Sequence, residues 1–210
     1  MGAGIAYNCL ISGMDVVLLD NSDVGLERGN QTIRGLYEGG VERGKIADSA
    51  MVDGLSRLCT SQDYDDLADV DIVIEAVFES MAVKQEVFGT LDKFMKPGAV
   101  LATNTSTLSI DEIAAATERP QDVIGLHFFS PAHMMRLLEI VRGADTSDEV
   151  IATSLALARY LRKIGVVVGN CFGFVGNRML HSYGRENQLL LLEGAAPEYI
   201  DKTLCDWGMA

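Results

Sequence analysis

Hydrophobic and polar positions along this 210-residue chain alternate between helical and strand spacing. Small and apolar residues recur at helical intervals from Gly2 onward, and Gly13 stands where a helix C-cap belongs. The run Asp15 to Leu19 is β-branched and short, which predicts a strand ending at Asp20. From Val24 to Arg43 the chain is polar, with Leu26, Ile33, Leu36 and Tyr37 near a 3.6-residue period, so a long exposed helix is expected. Leu58 to Ser61 reads as a short strand. Asp71 to Phe78 is a nearly continuous apolar run, as a parallel strand buried on both faces requires. A helix over 81–95 is broken by Lys96-Pro97-Gly98, and a strand over 99–103 follows. Next come a helix over 107–117, strands over 123–129 and 135–143, a helix over 147–163 capped by Ser147 or Asp145, and a strand over 164–168.

Strands alternating with helices at this spacing predict parallel crossovers and a doubly wound α/β fold. After Gly169 the pattern becomes purely helical, with helices over 174–193 and 197–207 separated by Ala195-Ala196-Pro197. A domain boundary near 169–173 is therefore expected: an α/β domain over 1–170, and the beginning of an all-α domain over 171–210.

Composition narrows the function. The 17 basic and 30 acidic residues give a net charge of −13, which argues against a nucleic-acid partner. No apolar run reaches the roughly 18 residues of a membrane span. The first twenty residues carry no Lys or Arg, so they make a poor secretory signal. Cys9, Cys59, Cys171 and Cys205 form no C-x-x-C and are expected to be reduced core fillers in an intracellular protein.

Four groups of residues could carry chemistry. Gly2 opens a helix and Asp20 ends the next strand, half of the arrangement by which a Rossmann-type unit holds a pyrophosphate at a helix N-terminus and a ribose on an acid. In HFFSPAHMMRLLEIV, His127 ends one strand, and Glu139 sits twelve residues on in another that is otherwise apolar. Such a pair suits general acid/base work, because a carboxylate fixes the imidazole tautomer and stabilises its charged form. Asn104 to Thr107 directly follow a buried strand, where ligands of open α/β sheets bind, although Thr107 or Ser109 could equally cap the next helix. Asn177 and Arg178 stand early in the first late helix, facing either solvent or an interdomain cleft. No metal-ligand spacing, G-x-S-x-G elbow or P-loop occurs, and the Met134-Met135 step is expected to be packing.

MGAGIA, DIVIEAVFE, KPGAVLATNTSTLSI, HFFSPAHMMRLLEIV and GFVGNRML occur in one order over almost the whole chain. In that order they resemble the dehydrogenase part of 3-hydroxyacyl-CoA dehydrogenases, especially of multifunctional enzymes that join it to an enoyl-CoA hydratase. The resemblance implies NAD-dependent oxidation of L-3-hydroxyacyl-CoA to 3-ketoacyl-CoA in fatty-acid β-oxidation. His127 would take the hydroxyl proton and Glu139 would orient it. Ser106 and Asn177 would hydrogen-bond near the reacting oxygens. Gly2, Asp20, Ala76, Glu79, Lys84 and Asn104 would lie along NAD, with Asp20 disfavouring NADP. Ser130 departs from the Asn more common in single-function relatives, which puts one contact in doubt.

The implied setting is cytoplasmic, or peroxisomal in a eukaryote, and the implied assembly is a homodimer or part of a multifunctional chain. The resemblance also implies a first strand and two further glycines before Met1, and more helices after Ala210. The chain is accordingly expected to be a piece of a longer reading frame, with two strands left without a partner and little NAD affinity by itself. Two other readings stay open: a dehydrogenase of free 3-hydroxy acids, and a non-catalytic dinucleotide-binding or structural relative.

Overall fold

The computed structural model describes residues 1–209. Helix α1 (Gly2–Ile11) leads into strand β1 (Val16–Leu19), followed by α2 (Asp23–Glu42), α3 (Asp48–Ser56), β2 (Leu58–Ser61), β3 (Ile72–Glu75), α4 (Met81–Phe94) and β4 (Val100–Thr103). The chain continues through α5 (Ile110–Ala114), β5 (Val123–Phe128), β6 (Leu137–Arg142), α6 (Asp148–Tyr160), β7 (Ile164–Gly169), α7 (Gly176–Leu192) and α8 (Pro197–Trp207). The α/β alternation is as expected. Among the described residues, no helix is long and apolar enough to cross a membrane.

The strands form a two-stranded ladder, β1-β2, and a five-stranded one, β3-β4-β5-β6-β7. Every pairing is parallel except β5–β6. Strands β1 and β3 do not pair; both line a cavity of about 1470 Å³ together with the start of α1. One difference from expectation lies beside that opening. Strand β3 covers only 72–75 rather than 71–78, and three of its four residues are only half-buried. It ends where the Val77 N–H turns to the Glu75 side chain, at 2.6 Å, and leaves the ladder.

The core forms on both faces of the larger sheet. Ile124, Leu126 and Phe128 of β5 join Leu138 and Ile140 of β6 beneath Ile5, Val150, Leu157 and Ala158. Val123 and Val141 face the other way, against Phe88, Leu91, Ile110, Ile113 and Phe174. Each fully buried Leu, Ile or Phe contributes about 1.5–3 kcal/mol relative to exposure. Because side chains alternate along a strand, His127 shares the face of Val123, and Glu139 that of Val141. A smaller cluster of Tyr7, Leu10, Ile33 and Tyr37 joins α1 to α2.

Caps explain the helix ends. Gly13, with φ of 88°, closes α1 in a Schellman arrangement, its N–H on the Leu10 carbonyl and that of Met14 on Cys9. Ser109 rather than Thr107 caps α5, and Ser147 rather than Asp145 caps α6, through the N–H groups of Glu112 and Val150. The cap at Ser109 starts α5 three residues later than expected. Helix α3 was not expected, because its apolar residues are few and the run is short. Two expected packing roles fail as well. Met134 and Met135 are exposed, because the Pro131–Met135 turn lies outside the strands. Cys59 and Cys205 are exposed too; Cys9 alone of the four packs on the core, and all four are free thiols.

Candidate active site

His127 and Glu139 are direct partners in the antiparallel β5–β6 register, so they project side by side from one face. His127 Nδ1 lies 2.8 Å from Glu139 Oε2, and their side chains are 7% and 1% exposed. An ionised Glu139 can only accept, so Nδ1 carries the proton and Nε2 is the free acceptor. The imidazole is flanked by Phe129 and Phe174, with ring centroids 4.4 and 5.7 Å away. The second carboxylate oxygen of Glu139 accepts the N–H groups of Val175 (3.0 Å) and Gly176 (2.8 Å), at the start of α7. It thereby takes the place of a side-chain cap, which α7 lacks. The missing Cβ of Gly176 leaves room for the Phe129 ring that flanks the imidazole: a Cβ there would stand 2.8 Å from Phe129 Cζ.

A second group forms at the ends of β3 and β4. Glu79 Oε1 accepts from Thr105 Oγ1 (2.6 Å), the Ser106 N–H (2.8 Å) and Ser106 Oγ (3.1 Å). Burial pushes the Glu79 carboxyl up, but those donors and the Lys84 charge outweigh it and hold Glu79 below its ordinary value. Lys84 Nζ lies 3.4 Å from Glu79 Oε2 and 2.8 Å from Glu75 Oε1. Asn177 Nδ2 donates to the Ser106 carbonyl at 3.4 Å. Asn104 Oδ1 accepts the Phe128 N–H at 2.8 Å, beside His127. The two groups therefore meet through Asn104 on one side and Asn177 on the other.

Gly2, Asp20 and Ala76 line the cavity between β1 and β3, which Glu75 lines as well. Asp20 Oδ1 accepts the N–H and hydroxyl of Ser22 at 3.1 and 3.0 Å, which fixes the carboxylate at the end of β1. A Cβ on Gly25 would collide with that carboxylate. The first turn of α1 offers unpaired N–H groups to an anion, and Asp20 offers acceptors to hydroxyls. This donor set fits a ligand that carries both a phosphate and a ribose.

Some residues escaped the sequence reading. Glu75 and Thr103 belong to the second group, and the visible signal was an acid inside the apolar run DIVIE. The backbone donors of Val175 and Gly176 had no sequence signal beyond their position next to Asn177. Among the described residues no group of His, Cys, Asp and Glu could hold a metal ion.

Residues 1–171 match the family model described as 3-hydroxyacyl-CoA dehydrogenase, NAD binding domain. A zebrafish (Danio rerio) protein named peroxisomal bifunctional enzyme is 45% identical over 210 residues, 100% of this chain and 29% of its own length. The chain thus spans less than a third of that curated relative. The crystal structure of (S)-3-hydroxybutyryl-CoA dehydrogenase from Ralstonia eutropha superposes with a TM-score of 0.95 at 38% identity, covering 97% of this chain and 72% of that one. The dehydrogenase part of multifunctional enzyme 1 from C. elegans superposes with a TM-score of 0.75 at 32% identity, covering 100% of this chain and 48% of that one.

Proposed function

Since this chain belongs to the 3-hydroxyacyl-CoA dehydrogenase family, matching its NAD-binding domain, we propose that it carries the acid/base and cofactor half-sites for NAD-dependent oxidation of an L-3-hydroxyacyl-CoA in fatty-acid β-oxidation. The observation that carries this reading is the buried His127–Glu139 pair, with Nε2 of the imidazole left as its free acceptor. Nicotinamide, when bound, supplies the hydride acceptor. The chain supplies the rest. His127 Nε2 takes the proton from the 3-hydroxyl, and Glu139 holds the imidazole in the tautomer that can do so and stabilises its charged form. Ser106 and Asn177, tied to each other, position the reacting oxygens. Gly2 and Asp20 bind pyrophosphate and adenosine ribose, Ala76 lies beside them, and Glu79, with Lys84 and Asn104 behind it, lines the nicotinamide end. The Asp20 carboxylate disfavours a 2′-phosphate, so NAD is chosen over NADP.

Residues 171–210 begin a helical second domain in this reading. The complete assembly is a homodimer or part of a multifunctional chain, in peroxisomes or in a bacterial cytoplasm. The zebrafish relative's name supports the first location. Substitution of His127 in the full-length protein tests the reading. His127→Ala should lower acetoacetyl-CoA reduction by NADH about 10²–10⁴-fold while leaving NADH affinity intact. Free acetoacetate should be a much poorer substrate. Unchanged turnover in the variant would end the acid/base assignment, and equal use of acetoacetate would favour a free hydroxy-acid dehydrogenase.

A further inference from the structure

A carboxylate inside a strand is costly to bury unless it is fully partnered. Glu75, at the end of β3, is 4% exposed and is partnered on both oxygens. Oε1 accepts the Val77 N–H at 2.6 Å and Lys84 Nζ at 2.8 Å; Oε2 accepts Lys84 Nζ at 3.0 Å and Thr103 Oγ1 at 2.7 Å. Glu75 and Thr103 face each other in the β3–β4 register, so the sheet itself aims them together. The Lys84 side chain, 1% exposed, is held between this buried acid and Glu79, whose side chain is 38% exposed. Two carboxylates share one ammonium, and Glu79 is the member that reaches the surface. Glu79 in turn holds Thr105 and Ser106, and the Ser106 carbonyl holds Asn177.

We propose that Glu75 is a positioning residue for the dinucleotide site: it anchors Lys84 and, through Lys84, sets the placement of Glu79 and Ser106. The proposal rests on the NAD-dependent reading above. The Lys84 side chain is buried and that of Glu79 is not, so Glu79 and Ser106 are the members placed to meet a ligand. A buried ion pair that only held the fold would look similar, and the two roles separate in a double-mutant cycle.

The cycle uses Glu75→Gln, Lys84→Met and the double variant in the full-length protein, read by fluorescence titration with NADH and by thermal melting. Each single variant should bind NADH about tenfold more weakly, the size of one lost charge-assisted hydrogen bond. The double variant should bind no more weakly than the weaker single one, because the proposed route from Glu75 to Glu79 runs through Lys84. It should also melt above both, since neither charge is left buried alone. Wild-type affinity in the folded double variant, or losses that multiply to about a hundredfold, would overturn the proposal. Wild-type affinity in the folded double variant overturns the proposal even if the single ones fail to fold. Wild-type protein that binds no NADH would remove the underlying reading first, a different outcome from normal wild-type binding with indifferent variants.

Discussion

Every residue of β5 is buried, whereas α7 buries none of its 17 residues. Strand β5 lies between two apolar layers that leave its side chains no alternative position. Helix α7 leaves Met179, Leu180, Tyr183 and Leu189 to Leu192 exposed, and it is held at its first turn instead. That hold consists of buried Phe174 before the helix and Glu139 on the N–H groups of Val175 and Gly176. Glu139 belongs to the rigid sheet and holds His127 with its other oxygen. One carboxylate therefore joins a region fixed by packing to a region fixed by a few polar contacts. The placement of Asn177, one residue into α7, depends on that link more than on any burial of the helix.

The largest effect should come from emptying the packed region. Leu126→Ala removes a side chain with no exposure and should cost about 2–5 kcal/mol. Leu190→Ala, at a position 44% exposed, should cost less than about 0.5 kcal/mol. Urea unfolding measures both, and equal costs would erase the contrast. At the junction, Gly176→Ala forces a Cβ to within 2.8 Å of the Phe129 ring and 3.7 Å of Glu139 Oε1. It should cost about 1–3 kcal/mol in the same assay and speed proteolysis within α7 more than within β5. A variant with wild-type unfolding and proteolysis would mean that α7 is not held there.

The smallest effect concerns the thiols. Burial pushes the Cys9 thiol up to about 11, so it stays protonated at pH 8 and sits packed on the core. Cys205 on α8 is exposed. Alkylation followed by mass spectrometry should label Cys205 well before Cys9, and the reverse order would contradict the packing described for α1.

The pattern of apolar positions was enough to read the α/β alternation, the strands over 58–61 and 164–168 almost to the residue, and the helical tail. It failed where tertiary context decides. Asp71 to Phe78 is apolar enough for a doubly buried strand, yet β3 stops at Glu75 because that side chain draws the Val77 N–H out of the ladder. The candidate site divides in the same way. His127 and Glu139 were visible as polar residues in apolar strands, and the antiparallel register explains why they meet. Glu75 was visible in the same sense but lost in a hydrophobic run. The capping of α7 by Glu139 could not be read, since it joins a side chain to backbone groups 36 and 37 residues away.

Amide hydrogen exchange at Val175 and Gly176 in a Glu139→Gln variant tests the shared carboxylate most directly. A carboxylate can accept from His127 Nδ1 and from both α7 amides at once. An amide has one carbonyl oxygen, so it cannot accept from the imidazole Nδ1 proton and from the helix together; if it keeps the α7 amides, its NH2 can only donate to Nδ1, which moves the imidazole proton to Nε2. Exchange at one or both amides should rise by about an order of magnitude, or else the His127 Nδ1 proton should lose its protection, while β5 amides stay at wild-type rates. Wild-type protection at all three positions in the variant would contradict the account.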